Sequence, residues 1–368
     1  MNYKTSLCLG AAIMGSTSAW AQSAPATGSV QIYGILDQVV ESVSHINAGG
    51  KESGQLRVGL GVTPSRLGFR GTEDLGGGLK ANFVLETGVT ADTGTVGQGS
   101  RMFGRQANVG LTGPFGTVAV GRVYAMRYYA TWDADFYSPG SQGLGTLDNG
   151  IPNARIDNGI SWRADSGPIS GGLTYSLGRD TVAGANPAAT GCAGEAAEAS
   201  QCREWSAMLK YDGGTWGVVS SYERQYGGTA ATYGGLTRPD LTDSRTLLNA
   251  YWKLPGDSRI GIGWQGRNNE GSTTPRSNLF WLAGQTHLSE PLVITGMLAQ
   301  LKFKDSPNKA VLVAARLNYW FSKRTTIYLG DEYLKNSGTL ALSATSNATG
   351  PLPGHGQNSL QLGLAHSF

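Results

Sequence analysis

The sequence predicts an all-β chain that closes into a 16-stranded antiparallel transmembrane β-barrel, and three observations lead there. Apolar and polar residues alternate with period two from one end to the other. The connections between the alternating segments are by turns short and long. Beyond the first residues, no stretch of about 18 apolar residues exists from which a spanning helix could be built.

The alternation marks strands with one apolar and one polar face, because successive side chains of a strand point to opposite sides. In Ser29–Glu41, Val30, Ile32 and Leu36 alternate with Gln31, Tyr33 and Asp37. Leu67 and Phe69 alternate with Arg66 and Arg70; Leu79, Ala81, Phe83 and Leu85 face away from Lys80, Asn82 and Glu86. The pattern recurs at Ala107–Leu111, Ile160–Arg163, Leu173–Leu177, Trp205–Tyr211, Leu248–Leu254, Ile260–Gln265, Arg316–Phe321 and Leu360–Ala365. Tyr33, Trp162, Trp205, Trp252, Tyr319 and Phe321 fall near strand ends, the placement of interfacial aromatic girdles.

Short turns are read at Glu73–Gly78, Gly113–Gly116, Ser166–Pro168, Gly213–Gly214, Pro255–Gly256, Glu290–Pro291 and Ser322–Arg324. Longer polar stretches lie near His45–Gln55, Thr87–Arg101, Tyr124–Ala154, Arg179–Cys202, Gly227–Thr242, Asn268–Pro275, Lys304–Asn308 and Asn336–Gly356. Seven short turns and eight long loops join sixteen strands, the asymmetry of a bacterial outer-membrane barrel. Closure follows from physics: an open sheet in lipid leaves edge N–H and C=O groups unpaired. A soluble pair of β-sandwiches is the competing architecture, but no linker or composition shift divides the chain.

Composition agrees. Gly is 55 of 368 residues and charged residues are only 15%, the opposite of a disordered chain. Mean hydropathy is −0.20, which in a barrel reflects the cancelling of two faces. Lys and Arg exceed Asp and Glu by only 29 to 26, which argues against a nucleic-acid partner. Lys4, the apolar run Leu7–Gly15 and the small-x-small site Ala19–Ala21 predict a secretory signal peptide over residues 1–21, with the barrel domain over 22–368. Cys8 leaves with the leader; Cys192 and Cys202 remain, close together in a polar stretch of an exported chain, and suggest one disulfide in an exposed loop, two free thiols being the alternative.

The stretches SVQIYGILD, SRLGFRGTEDLGGGLKANFVLE, FGTVAVGR, RIDNGISW, FSKRTTIY and the terminal LGLAHSF together resemble the trimeric general porins of betaproteobacteria, over essentially the whole chain. The resemblance implies a homotrimer with three pores in the outer membrane, in contact with its lipid. It makes Phe368 the signal read by the barrel-assembly machinery. It also makes Tyr124–Ala154 the third extracellular loop, folded inward to narrow the channel, with Asp133, Asp135 and Asp148 as its acids. Arg66, Arg70 and Arg155, with Arg105, resemble the arginine cluster of anion-preferring porins. By parity Arg105 falls on the lipid side, so either a bulge turns it inward or Gln106 lines the pore. Two departures stand out: Ala365 replaces a residue that is often basic in relatives, and Asp135–Gly140 replaces an acidic Pro-Glu-Phe-Gly-Gly stretch.

The function predicted is passive diffusion of ions and small hydrophilic solutes with a mild anion preference. No cofactor is expected, and no metal cluster, nucleotide loop or nucleophile elbow is found in the sequence. An enzymatic barrel needs a His placed by a Ser or carboxylate, whereas His45, His287, His355 and His366 carry no motif. A sugar-selective channel needs a row of lumen aromatics; Tyr33, Tyr251 and Trp320 lie on separated strands. An adhesin would use the outer loops, in which nothing is legible.

Overall fold

The computed structural model describes residues 28–368 except 138, 139, 187, 196 and 197. The leader expected over residues 1–21 lies outside the described residues. The sixteen barrel strands are β1 (Ser29–Ala48), β2 in two pieces (Lys51–Leu60 and Arg66–Gly76), β3 (Leu79–Thr90), β4 (Gln106–Gly113), β5 (Gly116–Tyr124), β6 (Arg155–Ser166), β7 (Ile169–Ser176) and β8 (Glu204–Asp212). Then come β9 (Trp216–Tyr226), β10 (Thr242–Leu254), β11 (Ser258–Asn269), β12 (Arg276–Ser289), β13 (Leu292–Phe303), β14 (Lys309–Trp320), β15 (Thr325–Ser337) and β16 (Gly356–Ser367). Each pairs antiparallel with its sequence neighbour, and β16 pairs back onto β1 with Gln38 opposite Leu364. The sheet has no edge left to satisfy.

The last residue lies at this seam. The backbone of Phe368 exchanges two 3.1 Å hydrogen bonds with Gly34, and its ring lies over that glycine, where a Cβ would come within 2.4 Å of a ring carbon. A side chain at position 34 would push the terminal ring off the seam.

Side chains sort as the alternation requires. Leu248, Phe280, Leu298 and Leu362 are more than half exposed on the outer face, while their strand neighbours Asn249 and Gln361 are buried inside. Placing a charge on the outer band is expected to cost about 2–4 kcal/mol at the midplane. We therefore expect Leu248→Arg, at the centre of β10, to lower unfolding stability in lipid vesicles by that amount, measured by urea titration. Girdle aromatics pair at strand ends: Tyr211 with Trp216 at 5.2 Å, Tyr319 with Phe321 at 5.2 Å, and Trp205 with Tyr222 at 5.1 Å. Tyr33 is not among them. It faces the lumen and donates to Glu86 at 3.0 Å.

The loops depart from the sequence reading in three places. His45–Gln55 is not a long loop: β1 and β2 run on to a turn at Gly49 and Gly50, both at positive φ (67° and 90°), with Asn47 capping Gly50 at 2.8 Å. This hairpin reaches beyond the apolar band, so alternation fades and the strands read as loop. The segment after β7 carries its own hairpin, Asp180–Asn186 with Ala189–Cys192. Cys192 and Cys202 are joined, with Cα atoms 5.2 Å apart. The bridge is buried under Gly228 of the next loop, not exposed.

Candidate pore constriction

The third long loop turns into the barrel. It carries two short helices, α1 (Met126–Trp132) and α2 (Leu144–Leu147). Its backbone is held by side chains from the inner wall: Ser206 accepts from the Met126 N–H at 2.8 Å, and Asn249 donates to the Ala130 carbonyl at 2.7 Å. Glu332 accepts from the Gly143 N–H at 2.6 Å and from the Thr146 hydroxyl at 2.8 Å; Gln142 donates to the Ser359 carbonyl at 2.9 Å. At its far point the Ser141 N–H donates to the Gly61 carbonyl at 3.2 Å, in the break of β2. That break is built around Asp37, which accepts from the Thr63 N–H at 2.8 Å and crowds Gly61 so closely that a Cβ there would lie 2.0 Å from its carboxylate.

Packing explains why the loop takes this course. Met126, Ala130, Tyr137, Leu144, Leu147 and Ile151 form one apolar cluster with Leu247, Leu279, Trp281, Leu312 and Leu334, all facing inward from β10, β12, β14 and β15. A water-filled lumen would leave these wall residues wet; burying each aliphatic side chain contributes about 1.5–3 kcal/mol. The loop is thus an inner lining for much of the β8–β16 half.

Several arginines face inward from β2 to β6. Arg70 donates to Gln31 at 2.9 Å and lies 4.9 Å over the Tyr33 ring. Arg66 is half-buried on the same face of β2, within electrostatic reach of Tyr33 and Glu86. Arg105 pairs with Glu86 at 2.6 Å and donates to the Tyr124 hydroxyl at 2.9 Å. Arg155 donates to the same hydroxyl at 3.3 Å and to the Pro152 carbonyl at 3.0 Å, over the Tyr124 ring at 4.9 Å. Arg163 lies 3.8 Å over Tyr129.

Arg105 precedes the first residue of β4, so the bend there, not strand parity, sets its direction; it points inward and is almost fully buried. Gln106 lies on the same inner face by register opposite Glu86. Of these guanidiniums, Arg105 pairs with Glu86 and Arg66 lies within its electrostatic reach, and among the described residues Arg66, Arg70, Arg155 and Arg163 have no ion pair. Tyr128, stacked 3.7 Å from Tyr124, adds no charge: burial and the neighbouring Tyr124 push its hydroxyl up to about 12.

Each of the loop aspartates has a partner of its own. Asp133 pairs with Lys210 at 2.6 Å, and Asp135 accepts from the Tyr137 N–H at 2.9 Å. Asp148 is buried, 3.0 Å from Arg245 and 2.9 Å from Gln265. Burial alone would raise its carboxyl, but Arg245, Arg267 and Arg127 override that and hold it far below the usual carboxylate range. Asp133 and Asp148 tie the loop to the covered wall, and Asp135 bonds within the loop. Glu86, Tyr124 and Arg163, which tie the cluster together, carry no signal in the sequence beyond their polar parity.

Comparison with known proteins places this geometry. A Gram-negative porin family model matches residues 7–339. The chain is 28% identical to outer membrane porin protein 32 of Delftia acidovorans, over 99% of this chain and 100% of that one. It is 32% identical to an outer membrane porin protein of Bordetella pertussis over 56% of each chain. Among solved structures, the anion-selective porin from Comamonas acidovorans superposes with a TM-score of 0.75 at 25% identity, covering 93% of this chain and 100% of that one. A closed two-faced barrel with an inward loop, matched by a family model over most of its length, leaves one conclusion: the chain belongs to the Gram-negative porins and forms a passive diffusion channel in the outer membrane.

Proposed function

We propose that this porin prefers small anions, and that Arg66, Arg70, Arg105, Arg155, Asp133, Asp135 and Asp148 form its constriction, the arginines as the selective wall and the aspartates as the loop's anchors. The observation that carries the reading is that Arg66, Arg70, Arg155 and Arg163, on the inner face of β2 and β6, have no ion pair among the described residues, while Arg105 balances Glu86. In a narrow passage with low-dielectric walls, charges of one sign concentrate counter-ions and exclude co-ions. The similarity to an anion-selective porin supports the same sign.

The chain is proposed to work as a homotrimer with no catalytic activity, exported by a leader cleaved after Ala21, with Phe368 as its assembly signal. The test is the zero-current potential of the purified protein in a planar bilayer under a tenfold potassium chloride gradient. We expect displacement toward the chloride equilibrium potential; displacement toward that of potassium overturns the reading.

A further inference from the structure

The third loop carries more aromatic surface than its docking covers. In α1, Met126, Arg127, Ala130 and Thr131 are buried on one side of the helix. Tyr128, Tyr129 and Trp132 fall on the opposite side by helical periodicity and stay only half-buried. The Tyr128 ring stacks on Tyr124 with centroids 3.7 Å apart, and it meets Tyr129 and Trp132 edge-on at 5.7 and 5.3 Å. Phe136, also half-buried, follows just beyond the helix. Strand parity, which sets Tyr33, Tyr251 and Trp320 on separated strands, says nothing of this row because it lies in a loop.

Cations stand over the row. Arg155 lies 4.9 Å over Tyr124, Arg163 3.8 Å over Tyr129, and Arg259 of β11 5.0 Å over Phe136. Among the described residues none of the three has an ion pair. Arg155 is only 9% exposed, yet its Nε has no hydrogen-bond partner among the described residues, and neither has the shielded Nε1 of Trp132. A buried indole N–H usually finds an acceptor, so one is wanted here. The interior of a porin-type barrel is ordinarily polar, and half-exposed rings gathered in a row mark a binding surface.

We propose, resting on the anion preference above, that this row binds aromatic carboxylates. Their carboxylate meets an unpaired guanidinium while their ring joins the stack of aromatic faces and guanidinium planes. The composition of the row selects this class. An inorganic anion would use only the cations, and a neutral sugar only the rings. The short spacing of charge and ring, 3.8–5.0 Å at each pair, suits an acid whose carboxylate is attached directly to its ring.

The experiment uses the purified full-length porin in a planar bilayer, with benzoate and cyclohexanecarboxylate as probes at neutral pH. The two acids carry the same charge on rings of similar size, and only benzoate has a π-face. We expect benzoate to block the chloride current saturably, at a concentration at least tenfold below that needed for cyclohexanecarboxylate. Tyr129→Leu/Trp132→Leu should raise the half-blocking concentration of benzoate about tenfold, the size of one cation–π contact; Tyr129→Phe/Trp132→Phe should keep most of the block. If the double Leu variant does not insert, Trp132→Leu carries the same test with a smaller rise. With chloride selectivity present, equal block by the two acids, or an unchanged half-blocking concentration in the Leu variant, overturns the aromatic site alone. So does saturable block by sucrose at the concentration at which benzoate blocks, which would mark a sugar site. A zero-current potential on the potassium side overturns the anion preference, and this site with it.

Discussion

Replacing Arg66 and Arg70 together by Gln is expected to abolish most of the anion preference. Both side chains stand on the open inner face of β2 and neither has an ion-pair partner among the described residues, so each contributes its whole charge to the passage. A unit charge about 8 Å from a passing ion, at an effective dielectric between 20 and 80, is worth about 0.5–2 kcal/mol. Two such charges lost should lower the chloride-to-potassium permeability ratio by about fivefold or more. The change should be larger at 0.1 M salt than at 1 M, because the screening length shrinks about threefold. Arg66→Lys/Arg70→Lys keeps the charge and should keep the ratio. Arg105 is a poor choice for this measurement: it neutralises Glu86 and positions Tyr124, so its loss would leave a buried carboxylate unpaired. An unchanged ratio in the double Gln variant would remove these residues from the selective wall.

The second large effect concerns the loop. Asp148→Asn breaks a buried pair with Arg245 and leaves that guanidinium to Asp243 at 3.0 Å and Glu223 at 3.7 Å. Removing one partner of a buried ion pair typically costs about 3–5 kcal/mol. Since Asp148 belongs to the loop and Arg245 to the wall, the cost falls on the docked loop, not on the barrel ladder. We expect the variant to assemble normally, yet to show larger open-channel noise and frequent sub-states. The pH dependence has a definite sign. A carboxyl whose pKa is lowered by folding stabilises the docked state at every pH above its unfolded value, and that stabilisation is lost only as pH falls through the lowered folded value. Arg245, Arg267 and Arg127 hold Asp148 far below the ordinary range. Wild-type noise should therefore be the same at pH 7 and pH 4. A quiet Asp148→Asn channel would contradict the anchoring role.

The strands were legible because the bilayer imposes the alternation. Ser29–Glu41 and Leu360–Ala365 read as two-faced ribbons, and they pair across the seam. The signal fails where the environment is the same on both sides. Above the apolar band both faces are wet, and His45–Gln55 reads as a loop although it is strand around a two-residue turn. On the covered wall both faces are dry. In β12 and β13, Leu279, Trp281, Met297 and Ala299 face the docked loop while Phe280, Leu282 and Leu298 face lipid, so alternation dissolves into an apolar run. Such runs were themselves a pointer to what lies inside, since a strand buried on both faces needs a cover.

The site was half legible. Parity placed Arg66, Arg70 and Arg155 on the inner face, as found. It failed for Arg105, because the residue lies just outside the strand and the local bend sets its direction. The aspartates were identified as loop acids, but nothing in their neighbours along the chain reveals Lys210 or Arg245, which lie 77 and 97 positions away. A charge's role in a pore depends on its partner, and partners across a barrel are remote in sequence.

The central claim is that solutes pass between the third loop and the β1–β6 wall. It is tested most directly by placing a single reactive thiol on either side of the loop, since both native cysteines of the barrel are bonded. Arg70→Cys puts the thiol on the open wall; Ala299→Cys puts it on β13, beneath the docked loop. A bulky, charged methanethiosulfonate added to the reconstituted channel is predicted to cut the current through Arg70→Cys and leave that through Ala299→Cys unchanged. Block at Ala299→Cys with none at Arg70→Cys would place the passage on the other side of the loop and contradict the account.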